Sequence, residues 1–444
     1  MRSDSFIRAR VDWVLVGAIL ALVAIGTIAV LSAADGLSYY AGIRQRHFIA
    51  LCAGGVLFAF GLGFNYQVFQ DQAKIIFALT LGLLVAVLFV GSVQRGQRAW
   101  LDLGFFSFQP SELARVTTIL VLANYLDRGA NRANTVKYIL GAFAIAAPVT
   151  ALILAEPDFS STLSFFPMLF GMLFCAGASV TMLMALLAFA GVTLGLPLIW
   201  TLLALRPEWT ENWVVLNHFL SIREFGMPLF ATLGGIIVVV FLLWKLAQAF
   251  RMQAPAPVFA VAAVILSVGL CSGVAFDTQL KGYQRDRMVA FLLPGKDPRG
   301  SAYNVKQAQI AIGSGGLWGK GAFSGTQSRL GFLPERHTDF IYAVVGEEFG
   351  FFGAMSVLAL YMLLLYRIID TARLARDRYG YLVCSGLASV YGFYLLMNVG
   401  MCLGLVPVAG VQLPLVSYGG SSLVVTLFAL GIVANIYSRR YAFY

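Results

Sequence analysis

The run Gly331-Phe-Leu-Pro-Glu-Arg-His-Thr-Asp339-Phe340 leads straight into a hydrophobic segment that carries Glu347 and Glu348. Carboxylates and a histidine at the mouth of such a segment are costly unless they are paired or at work. Asp339 has two readings. It can cap a helix, or it can act as a general base, because burial at the lip of a low-dielectric cavity raises a carboxylate's pKa toward the working pH. Glu112 and Arg115 are three residues apart. On a helix beginning near Ser111 they share a face and can pair. Trp100 and Asp102 lie just before them, where the plainer reading is an interfacial tryptophan belt with an ordinary ion pair.

Residues 276–340 hold nine cations, Lys281, Arg285, Arg287, Lys296, Arg299, Lys306, Lys320, Arg329 and Arg336. Against them stand five carboxylates, Asp277, Asp286, Asp297, Glu335 and Asp339, which leaves a net charge of +4. A solvated charged surface accounts for this. The sharper reading is a site for an anion at a membrane face, such as a lipid phosphate or diphosphate. The glycine-rich stretch Gly313–Gly321 is not a nucleotide loop. Ser314 stands where its first glycine is required, and Gly321 where a hydroxyl should hold magnesium. No nucleotide and no nucleic acid are expected.

The elements that must position these residues are hydrophobic helices. The chain has 444 residues, 59% hydrophobic and 12% charged, too few charges to cover a soluble globule. Apolar runs long enough to span a bilayer fall near 13–32, 46–64, 75–92, 112–127, 137–155, 163–180, 182–204, 229–248, 256–275, 341–366, 381–406 and 419–437. The expected fold is an all-α polytopic transmembrane bundle of about ten to twelve spans, one unit over 1–444, with a large extracytoplasmic loop at 276–340. The first run follows Arg8 and Arg10 and is read as an anchor rather than a cleaved signal. Arg128, Arg132 and Lys137, then Lys245 and Arg251, then Arg367 to Arg378, and finally Arg439 and Arg440 fall in alternate turns. The positive-inside rule therefore places both termini in the cytoplasm and segments 93–111, 205–228 and 276–340 outside. The five cysteines all sit in apolar stretches and read as small buried hydrophobes, and Asn398 as glue between helices.

Over nearly its whole length the sequence resembles the SEDS proteins (shape, elongation, division and sporulation), the membrane peptidoglycan glycosyltransferases. The matching stretches are Arg98–Gly104 with Gln109–Glu112, Tyr283–Arg287, Asp297–Gly300, Ile310–Gly321, Leu333–Phe340 and Pro414–Ser422. Trp100–Gly104, Gly325–Ser328 and Pro334–Asp339 look like the rod-elongation branch rather than the division branch. The resemblance implies polymerisation of lipid II into glycan strands on the outer face of a bacterial inner membrane, beside a class B penicillin-binding protein that cross-links them. It places the family's loop aspartate on Asp339, its tryptophan on Trp100 and its glutamate on Glu112. Three features depart from the family. Arg115 replaces a lysine, Glu156-Pro-Asp-Phe-Ser160 replaces Gln-Pro-Asp-Leu-Gly, and an extra hairpin within about 205–275 raises ten spans to twelve.

The mechanism this implies is inverting. Asp339 takes the proton of the acceptor sugar hydroxyl, and Arg285, Arg287, Lys320 and Arg336 stabilise the departing lipid diphosphate, with room for a divalent cation, Mg or Mn. Trp100, Glu112, Arg115 and His337 join these cations as expected substrate contacts, while Asp286, Asp297 and Glu112 are at most supports or metal ligands. The rival reading is a flippase for the lipid-linked precursor. It predicts inverted repeats and a midplane site, and the sequence shows neither clearly.

Overall fold

A computed structural model describes residues 11–35, 41–94, 97–102, 104, 107–129, 134–252, 255–280, 282–293 and 300–441. Arg8, Arg10, Arg132, Lys281, Lys296, Asp297 and Arg299 lie outside the described residues. The chain forms α1 (Trp13–Ala33), α2 (Ala41–Gly63), α3 (Tyr66–Asp71), α4 (Ala73–Val90), β1 (Ser92–Gln94), β2 (Gln97–Asp102), β3 (Ser107–Phe108), α5 (Pro110–Arg128), α6 (Val136–Ala155), α7 (Phe159–Leu163) and α8 (Phe165–Cys175). It continues with α9 (Val180–Leu205), α10 (Pro207–Asn212), α11 (Val214–Ser221), α12 (Met227–Ala249), α13 (Ala256–Gln279), α14 (Gly282–Leu292), α15 (Ser301–Ser314), α16 (Thr326–Arg329), α17 (Ile341–Leu374), α18 (Arg378–Leu403) and α19 (Gly420–Ser438).

Every expected span lands on helix, and among the described residues ten helices are long and apolar enough to cross a membrane. The other two segments are α5, interrupted by Glu112, Arg115, Asn124 and Asp127, and the region 163–180, whose helix α8 has only 11 residues. The one departure from an all-helical reading is small. Strands β1, β2 and β3 make a three-stranded antiparallel sheet in that order, and β2 carries Trp100. Such short strands owe their form to pairing across the meander, which hydropathy does not register.

The chain divides into two compact units, Met1–Ala178 with Asn304–Tyr444, and Ser179–Tyr303. The extra hairpin, α12 and α13, falls in the second unit. In the first, α18 and α19 are the buried centre. Small residues let backbones touch there: a Cβ on Gly61 would lie 2.9 Å from the Phe428 carbonyl oxygen, and one on Gly431 only 2.5 Å from that of Phe58. Close approach of this kind is how helices associate where lipid removes the hydrophobic drive. Helix α17 breaks at Gly350, whose φ of 65° belongs to the left-handed region. The glycine-rich stretch packs into that break, so neither Gly319 nor Gly350 has room for a side chain. The second unit has its own core of Leu196, Trp200, Ile222, Leu229, Leu270 and Val274.

Candidate active site

The loop that ends at Asp339 is held by its backbone. The Arg336 guanidinium donates through Nε to the Ala33 carbonyl at the end of α1 (2.7 Å). The His337 carbonyl accepts from the Tyr418 amide (2.8 Å), and the Thr338 carbonyl from the Ser417 hydroxyl (2.6 Å). The Asp339 carbonyl accepts from Asn398 Nδ2 (2.9 Å), which also donates to the Val411 carbonyl (2.8 Å). Asn398 is fully buried near the C-terminal end of α18. It is more than interhelical glue, because it ties the loop to the segment before α19. The chain turns at Glu335, with φ at 51°, and Arg336, His337 and Thr338 are buried. Asp339 itself is half-buried. Phe340 is the N-cap of α17, so Asp339 does not occupy the capping position.

Behind this loop stands Glu347, fully buried one turn and a half into α17. Its carboxylate accepts from the amides of Thr326 (2.7 Å), Gln327 (2.8 Å) and Ser328 (3.0 Å), from the Thr326 hydroxyl (3.0 Å), and from Lys320 Nζ (2.9 Å). Lys320 also donates to the hydroxyls of Ser314 and Thr326, each at 2.7 Å. Three acceptors match an ammonium's three protons. Lys320 therefore stands as a brace for the loop, with no proton left for a phosphate. Neighbouring Glu348 accepts from the Ser32 hydroxyl of α1.

The α5 start forms a second constellation. Glu112 and Arg115 pair at 2.8 Å, as their spacing predicts. Arg115 also donates through Nε to the Ser164 hydroxyl (2.9 Å) and lies 4.9 Å over the Tyr394 ring. This use of a planar fork plus stacking suits a guanidinium and not an ammonium, so the departure from lysine has a local structural counterpart. Beside it, Asp158 accepts from Gln109 Nε2 (2.9 Å), the Ser161 amide (3.0 Å) and the hydroxyls of Ser160 and Ser161 (2.8 and 2.6 Å). Glu156 is also fully buried, yet neither oxygen has a hydrogen-bond partner. Burial, and then the charge of Asp158, push its carboxyl up to about 8. Gln97 Nε2 of β2 donates to the Pro157 carbonyl (3.2 Å), tying the strand that bears half-buried Trp100 to this corner.

The Pro414–Ser422 segment joins the two constellations. Ser417 and Tyr418 hold the Asp339 loop. Three residues on, Ser421 accepts from the Gln109 amide (2.8 Å) and donates to the Ser107 carbonyl (2.9 Å), fixing the turn into α5. Sequence reasoning included this segment in the resemblance but gave its serines no role. Arg285 and Arg287 belong to the other unit, on α14, where Arg285 pairs with Asp277 (3.3 Å). Among the described residues, no three His, Cys, Asp or Glu side chains converge as a metal site.

Fold and site together define a multi-pass helical membrane protein whose acidic and basic groups gather at the ends of its helices. The FtsW/RodA/SpoVE cell cycle protein family matches residues 10–213 and 209–442, and the chain belongs to that family. It is 31% identical to the peptidoglycan glycosyltransferase RodA of Treponema pallidum, over 97% of this chain and 98% of the relative. It is also 31% identical to the peptidoglycan glycosyltransferase MrdB of Escherichia coli K12, over 90% and 86%. Among solved structures, it matches a chain from a study of polymerization and crosslinking by a peptidoglycan synthase complex, with TM-score 0.65 and 28% identity over 97% and 98%. It matches the rod shape determining protein RodA of Thermus thermophilus with TM-score 0.60 and 27% identity over the same shares. The RodA branch is favoured over the FtsW branch.

Proposed function

We propose that this chain is a peptidoglycan glycosyltransferase that polymerises lipid II into glycan strands during wall elongation, working at the outer face of a bacterial cytoplasmic membrane with both termini inside. The observation that carries the reading is the double anchorage on Pro414–Ser422. One short segment holds the Asp339 loop through Ser417 and the Glu112 helix start through Ser421, in a chain similar along 97% of its length to a protein named for this activity.

Asp339 is the general base. As the acceptor sugar's 4-hydroxyl oxygen attacks the donor's anomeric carbon, its proton passes to the Asp339 carboxylate. The bond from that carbon to the lipid diphosphate breaks, and the diphosphate leaves with the electron pair. Direct attack inverts the centre, so an α-linked donor gives a β-linked strand. The reaction needs no second protonated carboxylate, because the leaving group is already activated, unlike that of a glycosidase. Glu112 and Arg115 neutralise one another beside Tyr394. A divalent cation, Mg or Mn, would supply positive charge against the charge that develops on the departing diphosphate. The cross-linking partner is a class B penicillin-binding protein; the likeness to a chain from the study of a peptidoglycan synthase complex supports this.

The test is a gel assay of strand formation from fluorescent lipid II, with a divalent cation, with and without the transpeptidase. Wild type should make strands. Asp339→Asn should insert in the membrane normally and lose at least about 10²-fold in rate, the lower range for a positioned base. Wild-type polymerisation by Asp339→Asn would remove the base assignment. No strands under any condition, with lipid II crossing proteoliposomes instead, would replace the enzyme with a flippase.

A further inference from the structure

The second unit gives Arg285, one of the cations expected from the sequence to meet a diphosphate, two partners that the site above does not use, Asp277 and through it Arg223. Asp277 lies three residues inside the end of α13 and is buried, with 2% of its surface exposed. Its Oδ2 accepts from Arg223 Nε (2.7 Å) and from Arg285 Nη2 (3.3 Å), and its carbonyl accepts from the same Arg285 nitrogen (2.8 Å). Two guanidinium groups thus converge on one carboxylate oxygen. The carboxylate offsets part of their repulsion and leaves a net charge of +1. Both arginine side chains are partly open, at 26% and 37% exposure.

The position of this pair is fixed from below and marked from above. Ile222, the neighbour of Arg223, and Val274, three residues before Asp277, are both core residues packed with Trp200 and Leu229. The segment leading to Arg223 exposes Trp209, Trp213, Val214 and Val215, and Phe225 and Met227 follow it. Exposed tryptophans and aliphatics beside a short helix belong at headgroup depth. A helix of 24 residues such as α13 is long enough to span the hydrocarbon, which puts a residue near its end at the same level.

We propose that Arg223 and Arg285, held apart and oriented by Asp277, form a clamp for the phosphate of a lipid headgroup at the membrane face of this unit. Forked guanidinium donors match phosphate oxygens two at a time. The ligand chemistry is a phosphate or diphosphate ester on a lipid, supplied either by a polyprenyl diphosphate or by an anionic phospholipid of the bilayer. The first source rests on the proposed activity; the clamp itself does not.

The experiment is native mass spectrometry of the full chain in detergent, offered undecaprenyl diphosphate, undecaprenol or phosphatidylglycerol at equal concentration. Wild type should retain the diphosphate well above undecaprenol. Arg223→Gln should weaken that retention by roughly tenfold, as loss of a charge-assisted fork does. Arg223→Lys, which keeps the charge beside Asp277 but loses the fork, should fall between them and supplies the reading if Arg223→Gln folds poorly. A loss confined to phosphatidylglycerol would assign the clamp to bilayer lipid rather than substrate. Equal retention of both phosphate lipids by wild type and variants would overturn the clamp. No turnover is read, so this outcome is separate from that of the Asp339→Asn strand assay.

Discussion

Glu347 and Glu156 are two glutamates of the same unit, both fully buried, and their surroundings are opposite. Glu347 is met by three backbone amides, a hydroxyl and the Lys320 ammonium. Glu156 is met by none, and Asp158 adds a like charge. A buried charge is tolerable when its lone pairs are filled and its counter-ion is close; otherwise the group gives up the charge. The region around Glu347 is thus a structural lock that joins the glycine-rich stretch, α16 and α17 behind the Asp339 loop. The corner around Glu156 is left partly unsatisfied, at the position where the sequence resemblance leads one to expect glutamine.

Breaking the lock should give the larger effect. Glu347→Ala strands three amides and the Lys320 ammonium, a class of change that costs about 3–5 kcal/mol. Thermal unfolding in detergent should show the largest drop of any variant considered, and strand synthesis should vanish with it. Lys320→Ala should cost less, since that side chain is a quarter exposed. The double variant should be clearly less damaged than the sum of the two singles. Additive losses would mean that Lys320 and Glu347 do not act as a pair.

Asn398 tests the anchorage of the Asp339 loop itself. Asn398→Leu removes the donor from the part-buried carbonyl of Asp339 and from the buried carbonyl of Val411, the latter loss costing roughly 1–3 kcal/mol. Because the lost bond reaches the residue assigned as base, kcat should fall more than KM rises. A variant that lost stability but kept kcat would show that the loop needs no such anchor.

These two regions also mark what was readable in the sequence. Hydropathy located the helices, because a bilayer demands about twenty apolar residues in each. The spacing of Glu112 and Arg115 predicted their pair, because three residues on a helix share a face. The warning attached to Glu347, that a carboxylate inside a spanning helix must be paired or working, holds in the structure. Its partner was not legible. Lys320 lies 27 residues away, across a turn whose path is set by the break at Gly350. Lys320 looked like a phosphate ligand for the same reason, since sequence shows a charge but not whether its protons are spent. Asn398 and Ser421 reveal themselves only when the chain returns from the far end. The strands around Trp100 exist by pairing alone.

The smallest expected effect lies in the unsatisfied corner, and its sign follows from linkage. The fold raises Glu156 to about 8, above an ordinary carboxyl value near 4.3 in the unfolded chain. Between those limits the folded protein holds a proton that the unfolded chain has released, so stability falls as pH rises. The stabilising contribution is whole below the unfolded value and is lost progressively until the pH passes about 8, after which the curve is flat. Glu156→Gln keeps the shape, fills the family's usual residue and removes the titration. Its melting temperature should therefore pull ahead of wild type as pH rises from 6 to 8, on the order of a few degrees, and stay ahead by a constant margin up to pH 9. Parallel melting curves for the two proteins across that range would mean that Glu156 is solvated or already ionised. The contrast with Glu347 would then reduce to one of partners rather than charge.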